Sequence, residues 1–446
     1  MQMSATDYTD KNGSRGHLLR VLGVAFGLAV IIGNTIGAGI FKAPGSIAAL
    51  LPSIVPFLLV WIAGGVYAFL GAISLAELGT MLPRSGGQYI FSRYALGEYA
   101  GFIVGWSDWI STCGTTAAVA LVIGTFSGAL MPALDGKAPT IAAAVAIFFA
   151  LLQWQGVTWG SNTQNITSLL KAIAFFLLII AAFMLGGGAA LTNPEPQTTS
   201  IVTASAVILS LQSAIYTYDG WSGVIYFSEE VKNPGHDIPR ALFGGVLTIA
   251  AIYLLVNVAL LYVLPMSQIA GKEFAAGEAA NVIFGRYGDT IFRSLVVVSM
   301  LSGINAYHLM ASRVLFAMSR DGLFTSKAAA VNEGGTPTVA LFLSVLVAVL
   351  FIVFGQSFER VITVLAFFFV ANYVLSFISL FVLRRREPDK PRPYRVWGYP
   401  GTPALALISS VLFLAGAIWV DRENSLYALG LLAVSYPVFR VMKLLK

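Results

Sequence analysis

The sequence predicts an all-α membrane protein with about twelve transmembrane helices. Of its 446 residues, 57% are hydrophobic and only 11% carry a charged side chain, too few charges for the surface of a soluble chain of this length. Apolar runs of membrane-spanning length recur along the whole chain, and two of them are interrupted by glycine. The runs lie near 21–50, 54–82, 98–130, 139–157, 164–188, 201–228, 240–264, 290–318, 338–355, 360–383, 403–420 and 426–443.

The 27 Lys and Arg residues are distributed unevenly between the two sets of connecting segments. With the N-terminus inside, most of them fall in segments predicted to be cytoplasmic. This bias predicts a multi-pass protein of the cell inner membrane or plasma membrane with both termini cytoplasmic. Because the charge follows the topology, it does not indicate nucleic-acid binding. The predicted external segments contain only Lys137, Lys272, Arg286, Arg293, Arg360 and Arg422.

The first interrupted run contains the segment 30–41 (VIIGNTIGAGIF). Breaking a helix inside lipid leaves backbone N–H and C=O groups without partners, which is tolerated only where protein, water or a ligand supplies them. A helix that resumes near Gly39 presents free N–H groups and the positive end of its dipole to the gap, which suits a carboxylate. Gly37, Ala38 and Gly39 have little or no side chain, so an anion can approach the backbone closely. Lys42, just beyond, is expected either to pair with an acid or to face an outer vestibule.

The second interrupted run contains the segment 214–224 (AIYTYDGWSGV). Here a half-helix is expected to end near Tyr216 to Asp219 and to expose carbonyl oxygens, which suit an ammonium group. A carboxylate site that faces an ammonium site describes a zwitterionic α-amino acid. The other interpretation is that the glycines only allow helices to pack closely. Two such breaks at corresponding positions of the chain favour the first interpretation, in which they form the binding site of a transporter.

The two breaks each begin a group of five spans. An odd number of spans per group makes the second group cross the membrane in the opposite sense, which predicts an inverted repeat with discontinuous helices 1 and 6. The predicted domains are a cytoplasmic tail at 1–18, a first repeat at 19–188, a second repeat at 201–383 and a peripheral helix pair at 403–443. The chain has three histidines, none at metal-binding spacing, and we predict no enzyme, metal or cofactor.

Four groups of motifs give the chain a resemblance to a known family. They are 33–41 (GNTIGAGIF); 76–89 (AELGTMLPRSGGQY); 218–221 (YDGW) with 229–234 (EEVKNP) and 238–240 (IPR); and Ser312 and Arg313 with 320–323 (RDGL). The chain resembles the amino acid–polyamine–organocation superfamily, and within it a prokaryotic member of the L-type amino acid transporter branch. The resemblance implies a fold of five plus five inverted helices and a midplane site between spans 1, 3, 6 and 8.

The resemblance also implies roles for individual residues at the two breaks. The substrate carboxylate would contact the backbone at the first break, and the ammonium would contact carbonyl oxygens at both breaks. Tyr216 matches the aromatic position that acts as a gate over the substrate. Ala38 and Thr217 are small residues in the wall that faces the substrate side chain. The predicted substrate-binding set is Thr35, Gly37, Ala38, Gly39, Tyr216, Thr217 and Asp219.

Two ionisable residues inside predicted spans have more than one interpretation. Lys171, about two turns into span 5, either extends to the cytoplasmic face or, as the resemblance implies, occupies the place of a sodium ion in sodium-coupled relatives. In that place it would join carbonyls of span 1 near Gly33 to a hydroxyl of span 8, either Ser299 or Ser302. Asp219 is expected either to cap a half-helix or to contact the substrate or a proton.

The combined prediction is a secondary-active transporter that works by alternating access and exchanges neutral L-amino acids without sodium. Proton-coupled symport and transport of cationic amino acids or polyamines are the alternatives. Eukaryotic members of the branch bind a heavy chain through a cysteine between spans 3 and 4. Here that loop, 127–139, has none, and the single cysteine, Cys113, lies in the third apolar run. The expected partners are therefore an amino acid substrate and the lipid bilayer, without nucleic acid or a disulfide-linked heavy chain.

Overall fold

A computed structural model of the chain describes residues 18–188, 202–354 and 358–444. Within these ranges the chain forms helices, turns and two isolated β-bridges, and no strand. The predicted tail 1–18 lies outside the described residues except for its last residue. Twelve helical segments correspond to the twelve predicted apolar runs, and we name them spans 1 to 12. In order they are Val24–Thr35 with Ala38–Leu50, Ile54–Met81, Glu98–Leu130, Ala138–Trp154, Val157–Leu185, Ala204–Tyr218 with the 3₁₀ helix Gly223–Phe227, Pro234–Val263, Gly288–Arg320, Thr338–Phe354, Phe358–Arg386, Gly401–Val420 and Arg422–Leu444.

The spans differ in how well their length matches a membrane. Eight of them, spans 2, 3, 5, 7, 8, 10, 11 and 12, are long and apolar enough to cross one, and for span 8 this includes the preceding helix Ala275–Phe284. The two halves of span 1, bent by 45° at their break, make a ninth. Spans 4, 6 and 9 are helices of 17, 15 and 17 residues. At a rise of about 1.5 Å per residue they are shorter than the hydrocarbon core, so they fit it only with local adjustment.

The starts of several spans follow from local sequence. Pro139 and Pro234 lie in the first turns of spans 4 and 7, where the missing N–H of proline has no helical partner to lose. Gly97 and Gly156 precede spans 3 and 5 with φ angles of +100° and +142°, a region that glycine adopts without strain. These residues separate consecutive helices with very short connections. Shorter helices lie outside the spans at Gln88–Leu96, Met266–Ile269 and Ala275–Phe284.

The two interrupted spans lie inside the bundle. Span 1 packs against spans 5, 7 and 8 through its first half, and its second half packs against span 6. Span 6 also contacts spans 2 and 11. The breaks are therefore surrounded by protein, which is the environment that irregular backbone requires at membrane depth.

Span 5 shows how the outer helices separate an apolar outer face from a polar inner one. Leu169, Leu170 and Phe176 are exposed on its outer face, where lipid would cover them. Ser168 and Lys171 are buried on its inner face, against span 1. Among the apolar parts of the spans, only 28% of residues are buried in span 11 and 22% in span 12, against 61% in span 3. Spans 11 and 12 therefore leave most residues of their apolar parts exposed, as span 5 does with 28% buried.

Candidate functional site

The first break leaves a set of N–H groups pointing into the protein. The first half of span 1 ends where the N–H of Ile36 donates to the carbonyl of Ile32, and the second half begins at Ala38. Gly37 precedes that start and provides no side-chain cap. Within the described ranges, the N–H groups of Gly37, Ala38 and Gly39 have no hydrogen-bond acceptor. The break therefore offers donors and a positive helix end to an anion.

Lys171 contacts the carbonyl groups at the first break. Its side chain is fully buried, and its Nζ donates hydrogen bonds to the carbonyl oxygens of Gly33, at 2.9 Å, and Ile36, at 2.5 Å. Because span 1 stops here, these carbonyls have no helical N–H partner and accept the ammonium instead. Lys171 thus lies against span 1 and does not extend to the cytoplasmic face.

The predicted hydroxyl partners of Lys171 on span 8 are arranged differently from the expectation. The Ser299 hydroxyl donates to the carbonyl of Ile36 at 3.5 Å, so it shares an acceptor with Lys171. The Ser302 hydroxyl donates to the carbonyl of Ser299 in its own helix at 3.1 Å. In the part of the chain that the structure describes, neither hydroxyl bonds Lys171 directly. The correction has a simple cause: the carbonyl of Ile36 lies between spans 5 and 8 and receives both donors.

The second break exposes backbone of the opposite polarity. The α-helical part of span 6 ends at Tyr218, with Asp219 as its C-terminal cap, and Gly220 follows with a φ of +102°. The N–H of Asp219 donates to the carbonyl of Tyr216 at 3.1 Å. Beyond the break the chain forms the 3₁₀ helix Gly223–Phe227 instead of a regular α-helical half. The carbonyl end of span 6 therefore faces the gap.

The Asp219 carboxylate interacts with the backbone N–H of Gly220, at the start of the segment that follows span 6's α-helix, and is not the N-cap of the 3₁₀ helix itself. The 3₁₀ helix starts after Ser222 without any side-chain cap. The Asp219 carboxylate also accepts a hydrogen bond from the Tyr373 hydroxyl of span 10 at 2.7 Å. Span 10 thereby fixes the orientation of the carboxylate at the second break.

A tyrosine of span 7 joins the two breaks. The Tyr253 hydroxyl lies 2.7 Å from the carbonyl oxygen of Thr35 and 2.9 Å from that of Thr217. The Asn34 amide adds a second link by donating to the carbonyl of Gly220 at 3.3 Å. Tyr253 is not among the site residues predicted from the sequence. The available signal was a hydroxyl inside an apolar run, since a buried tyrosine usually finds a hydrogen-bond partner.

The two breaks enclose a cavity of about 30 Å³, which we call the central cavity. Its size allows only one or two water molecules. Three polar atoms at this site, Asn34 Oδ1, Thr35 Oγ1 and Thr115 Oγ1, are buried without a hydrogen-bond partner. All seven predicted substrate-binding residues line the central cavity; the full lining is Asn34, Thr35, Gly37, Ala38, Gly39, Thr115, Ala118, Val119, Tyr216, Thr217, Asp219, Tyr307 and Phe369.

One end of the bundle is closed by ion pairs between motif residues. The pair of Arg313 and Glu230 is fully buried, with 2.9 Å between Nη2 and Oε2, and joins span 8 to the turn after the second break. A buried pair of this kind is costly to break because either partner alone would be an unpaired charge. Other pairs here are Arg320 with Glu229 at 2.8 Å and Arg84 with Asp321 at 3.0 Å; Arg93, which follows the second motif, also pairs with Asp321, at 3.1 Å, and Arg392 pairs with the motif residue Glu77 at 3.0 Å.

The fold and the site together define a membrane transporter for amino acids. The chain belongs to the amino acid permease family, whose model matches residues 22–434. Across residues 18–188, 202–354 and 358–444 the structure shows no group of three or more His, Cys, Asp or Glu arranged to hold a metal ion.

Curated relatives match most of the chain. It is 29% identical over 444 residues to the serine/threonine exchanger SteT of Bacillus subtilis, covering 98% of this chain and 99% of that protein. It is 28% identical to the human large neutral amino acids transporter small subunit 2, covering 97% of this chain and 83% of that protein. It is 27% identical to the human b(0,+)-type amino acid transporter 1, covering 85% of this chain and 79% of that protein. All three matches cover at least 85% of this chain.

Proposed function

We propose that this transporter exchanges neutral L-amino acids across the cell membrane by alternating access and without sodium. The observation that carries the proposal is the opposite polarity of the two breaks around the central cavity. Free N–H groups of Gly37, Ala38 and Gly39 suit a carboxylate, and the carbonyl end of span 6 suits an ammonium. A zwitterion satisfies both ends with backbone groups alone.

The wall of the central cavity supports a neutral substrate side chain. Ala38, Ala118 and Thr217 are small and uncharged, and the hydroxyls of Thr35 and Thr115 offer unused hydrogen-bonding capacity. The names of the relatives point the same way, because they include a serine/threonine exchanger and a transporter of large neutral amino acids. Serine is therefore the first substrate to test.

Tyr216 fits the proposed role of a gate because it borders two spaces. It lines the central cavity and also a crevice of about 290 Å³ between spans 6, 10, 11 and 12. The central cavity holds too little volume for an amino acid. A movement of the Tyr216 ring toward the crevice would enlarge the central cavity without disturbing the backbone of either break.

Lys171 supports independence from sodium. Its Nζ already binds the carbonyls of Gly33 and Ile36. Two of the oxygen ligands that a sodium ion would need at the broken end of span 1 are therefore already occupied. We further propose that both termini are cytoplasmic. A disulfide-linked partner is not part of the proposal, because the single cysteine, Cys113, is buried in span 3.

Competition against uptake of labelled L-serine by the purified protein in liposomes tests the substrate class. Unlabelled L-serine should compete, whereas ethanolamine, which lacks the carboxylate, and 3-hydroxypropionate, which lacks the ammonium, should not. Equal competition by either analogue would contradict recognition of a zwitterion at both breaks.

The position of Asp219 in the wall of the central cavity favours a cationic substrate as the second candidate. We expect Asp219→Asn to leave serine uptake within about threefold of the wild type, since the change keeps the shape and removes only the charge. If arginine were the substrate, the wild type would take up arginine in preference to serine, and Asp219→Asn would abolish that uptake. The comparison of labelled serine and arginine in both proteins decides between the two candidates.

A further inference from the structure

A second, larger cavity lies beyond the central one. We call it the outer cavity, because the segments that form it are predicted to be external. It has a volume of about 570 Å³, within the range of small-molecule binding sites. Its lining residues come from spans 1, 3 and 8, from the helix Ala275–Phe284 and from the turn before that helix.

The outer cavity follows the central cavity along the same two helices. Span 3 contributes Val119 to the central cavity and Val122 to the outer one, and span 1 contributes Gly39 and Lys42 in the same order. Three residues of an α-helix rise about 4.5 Å. The lining residues of the two cavities are therefore offset by about 4.5 Å along both helices, and Lys42 follows the N–H groups of the first break by about one turn of span 1.

The charges of the outer cavity balance each other. Three bases and three acids line it, so the lining has no net charge, and each base is paired with one acid. A balanced set of opposite charges is complementary to a zwitterion, whereas a cation or an anion would meet as much repulsion as attraction. The pairs are Lys42 with Glu273, Lys272 with Glu278, and Arg293 with Asp289.

The pair of Lys42 and Glu273 differs from the other two. It connects span 1 to the turn before the helix Ala275–Phe284, with 2.8 Å between Nζ and Oε1. The pair of Arg293 and Asp289 lies within the first turns of span 8. The Lys42 side chain is only 24% exposed, whereas Glu273 is 64% exposed. An ion pair that is half open to water contributes little to stability, so a ligand can replace it at low cost.

An aromatic wall adds an apolar surface beside these charges. Phe126, Phe274 and Phe292 pack against each other, with ring centroids between 5.2 and 6.2 Å apart, and all three line the outer cavity. The Lys42 Nζ lies 5.2 Å from the centre of the Phe274 ring. The outer cavity therefore places an apolar surface next to a cation and an anion, the three features that an α-amino acid presents in complementary form.

We propose that the outer cavity is a second amino acid site, which binds the substrate before it enters the central cavity. The substrate carboxylate binds Lys42 and the ammonium binds Glu273, so the incoming zwitterion replaces the ion pair between them. The carboxylate then lies about one turn from the free N–H groups of Gly37 to Gly39, which receive it next. This proposal rests on the proposed function, since it assumes a zwitterionic substrate.

Replacing Lys42 tests the proposal. Lys137 provides the matched control, because it is also a predicted external lysine but lies in the turn between spans 3 and 4, outside the lining of the outer cavity, and donates to the carbonyl of Ala133. Serine uptake is measured in intact cells, which present the predicted outer face, and in inverted membrane vesicles, which present the other face. We expect Lys42→Gln to raise KM about fivefold or more in intact cells and to leave it unchanged in inverted vesicles. Lys137→Gln should leave both values unchanged. Equal KM changes of Lys42→Gln on both faces, or no change on either, would overturn the proposal.

A charge-exchanged double variant separates binding from a structural role. Lys42→Glu combined with Glu273→Lys restores the ion pair with its two ends reversed. If Lys42 only tied span 1 to the outer turn, the double variant would regain the wild-type KM, and that result would overturn the proposal. If Lys42 binds the substrate carboxylate, the reversed pair places an acid beside the N–H groups and KM stays raised. The proposed function itself is judged separately, by serine uptake of the wild type.

Discussion

Lys171 is the residue on which the geometry of the first break depends most directly. Its ammonium binds the carbonyls of Gly33 and Ile36, which lie on either side of the point where span 1 bends. Hydrogen bonds between a charged group and a carbonyl contribute about 1.5–3 kcal/mol each. Lys171 therefore fixes the backbone of the break in the arrangement that presents the free N–H groups of Gly37 to Gly39.

We expect Lys171→Met to reduce exchange about tenfold or more, because the loss of one charged hydrogen bond already shifts a two-state equilibrium by that factor. Methionine keeps the length of the side chain and removes the charge. Initial rates of serine exchange in liposomes measure the effect, with the elution profile of the purified variant as the folding control. A well-folded variant with wild-type rates would show that Lys171 has no part in transport.

Tyr253 joins the breaks with a single hydroxyl, so its removal tests their coupling. Tyr253→Phe leaves the carbonyls of Thr35 and Thr217 without this donor, and we expect a loss of stability of about 1–3 kcal/mol together with reduced exchange. Tyr67→Phe is the matched control, since the Tyr67 hydroxyl bonds the Ser410 hydroxyl of span 11, at 2.8 Å, and neither break. It should unfold at a slightly lower temperature and keep its exchange rate. Thermal unfolding and exchange rates that change in parallel in both variants would argue against coupling through Tyr253.

At this scale the sequence predicted the interrupted backbone better than the side chains around it. Gly37 and Gly39 indicated the first break, because glycine weakens a membrane helix through its own backbone freedom. That effect depends on the local sequence and can be predicted without knowing the fold. Tyr253 and Tyr307 lie far from the breaks in sequence, and only the packing of spans 7 and 8 brings their hydroxyls to the carbonyls of span 1. The contact of Ser299 could not be predicted for the same reason. Its hydroxyl and the Lys171 Nζ share the carbonyl of Ile36, and this depends on how spans 1, 5 and 8 pack.

At the scale of elements, the second half of span 1 and the end of span 6 form one tight contact. A Cβ added to Gly39 would lie 2.9 Å from the Thr217 hydroxyl oxygen and 3.0 Å from the Thr217 Cα. One added to Gly37 would have its nearest neighbour, the carbonyl oxygen of Thr35, at 3.9 Å. The two glycines therefore have different roles: Gly39 allows the helices to approach, and Gly37 leaves space open toward the central cavity.

The pair of variants Gly39→Ala and Gly37→Ala separates helix contact from substrate binding. Gly39→Ala should destabilise the protein by about 1–3 kcal/mol, because the added methyl group pushes span 1 away from span 6. Gly37→Ala should fold normally and weaken serine binding about tenfold, because its methyl group occupies space beside the N–H groups. Thermal unfolding and equilibrium binding of labelled serine measure both effects. Normal serine affinity in Gly37→Ala would contradict an anion site at this backbone.

The order and positions of the helices were largely predictable, and their exact form at the breaks was not. Long apolar runs predict spans by length alone, which holds for spans 2, 3, 5, 7, 8, 10, 11 and 12. The inner part of span 6 is a 3₁₀ helix because the chain between Gly220 and Phe227 must pass span 1 closely, a constraint that lies in the tertiary structure. The equivalence of the two repeats, 19–188 and 201–383, stays a prediction.

At the scale of the whole molecule, the two ends of the bundle are closed to different degrees. The buried pair of Arg313 and Glu230 and its neighbours join several elements at one end. At the other end lies the outer cavity of about 570 Å³, whose lining residues on spans 1 and 3 are offset by about 4.5 Å from those of the central cavity. The conformation is therefore more open toward the outer cavity. Alternating access requires a second conformation in which the ion-paired end opens and the outer end closes.

The measurement that tests the central claim most directly is uptake of labelled serine by the purified protein in liposomes, with and without unlabelled serine inside. Exchange predicts rapid uptake into preloaded liposomes and almost none into empty ones, and an imposed pH gradient should leave both results unchanged. Accumulation in empty liposomes driven by the pH gradient would contradict exchange and support proton-coupled symport.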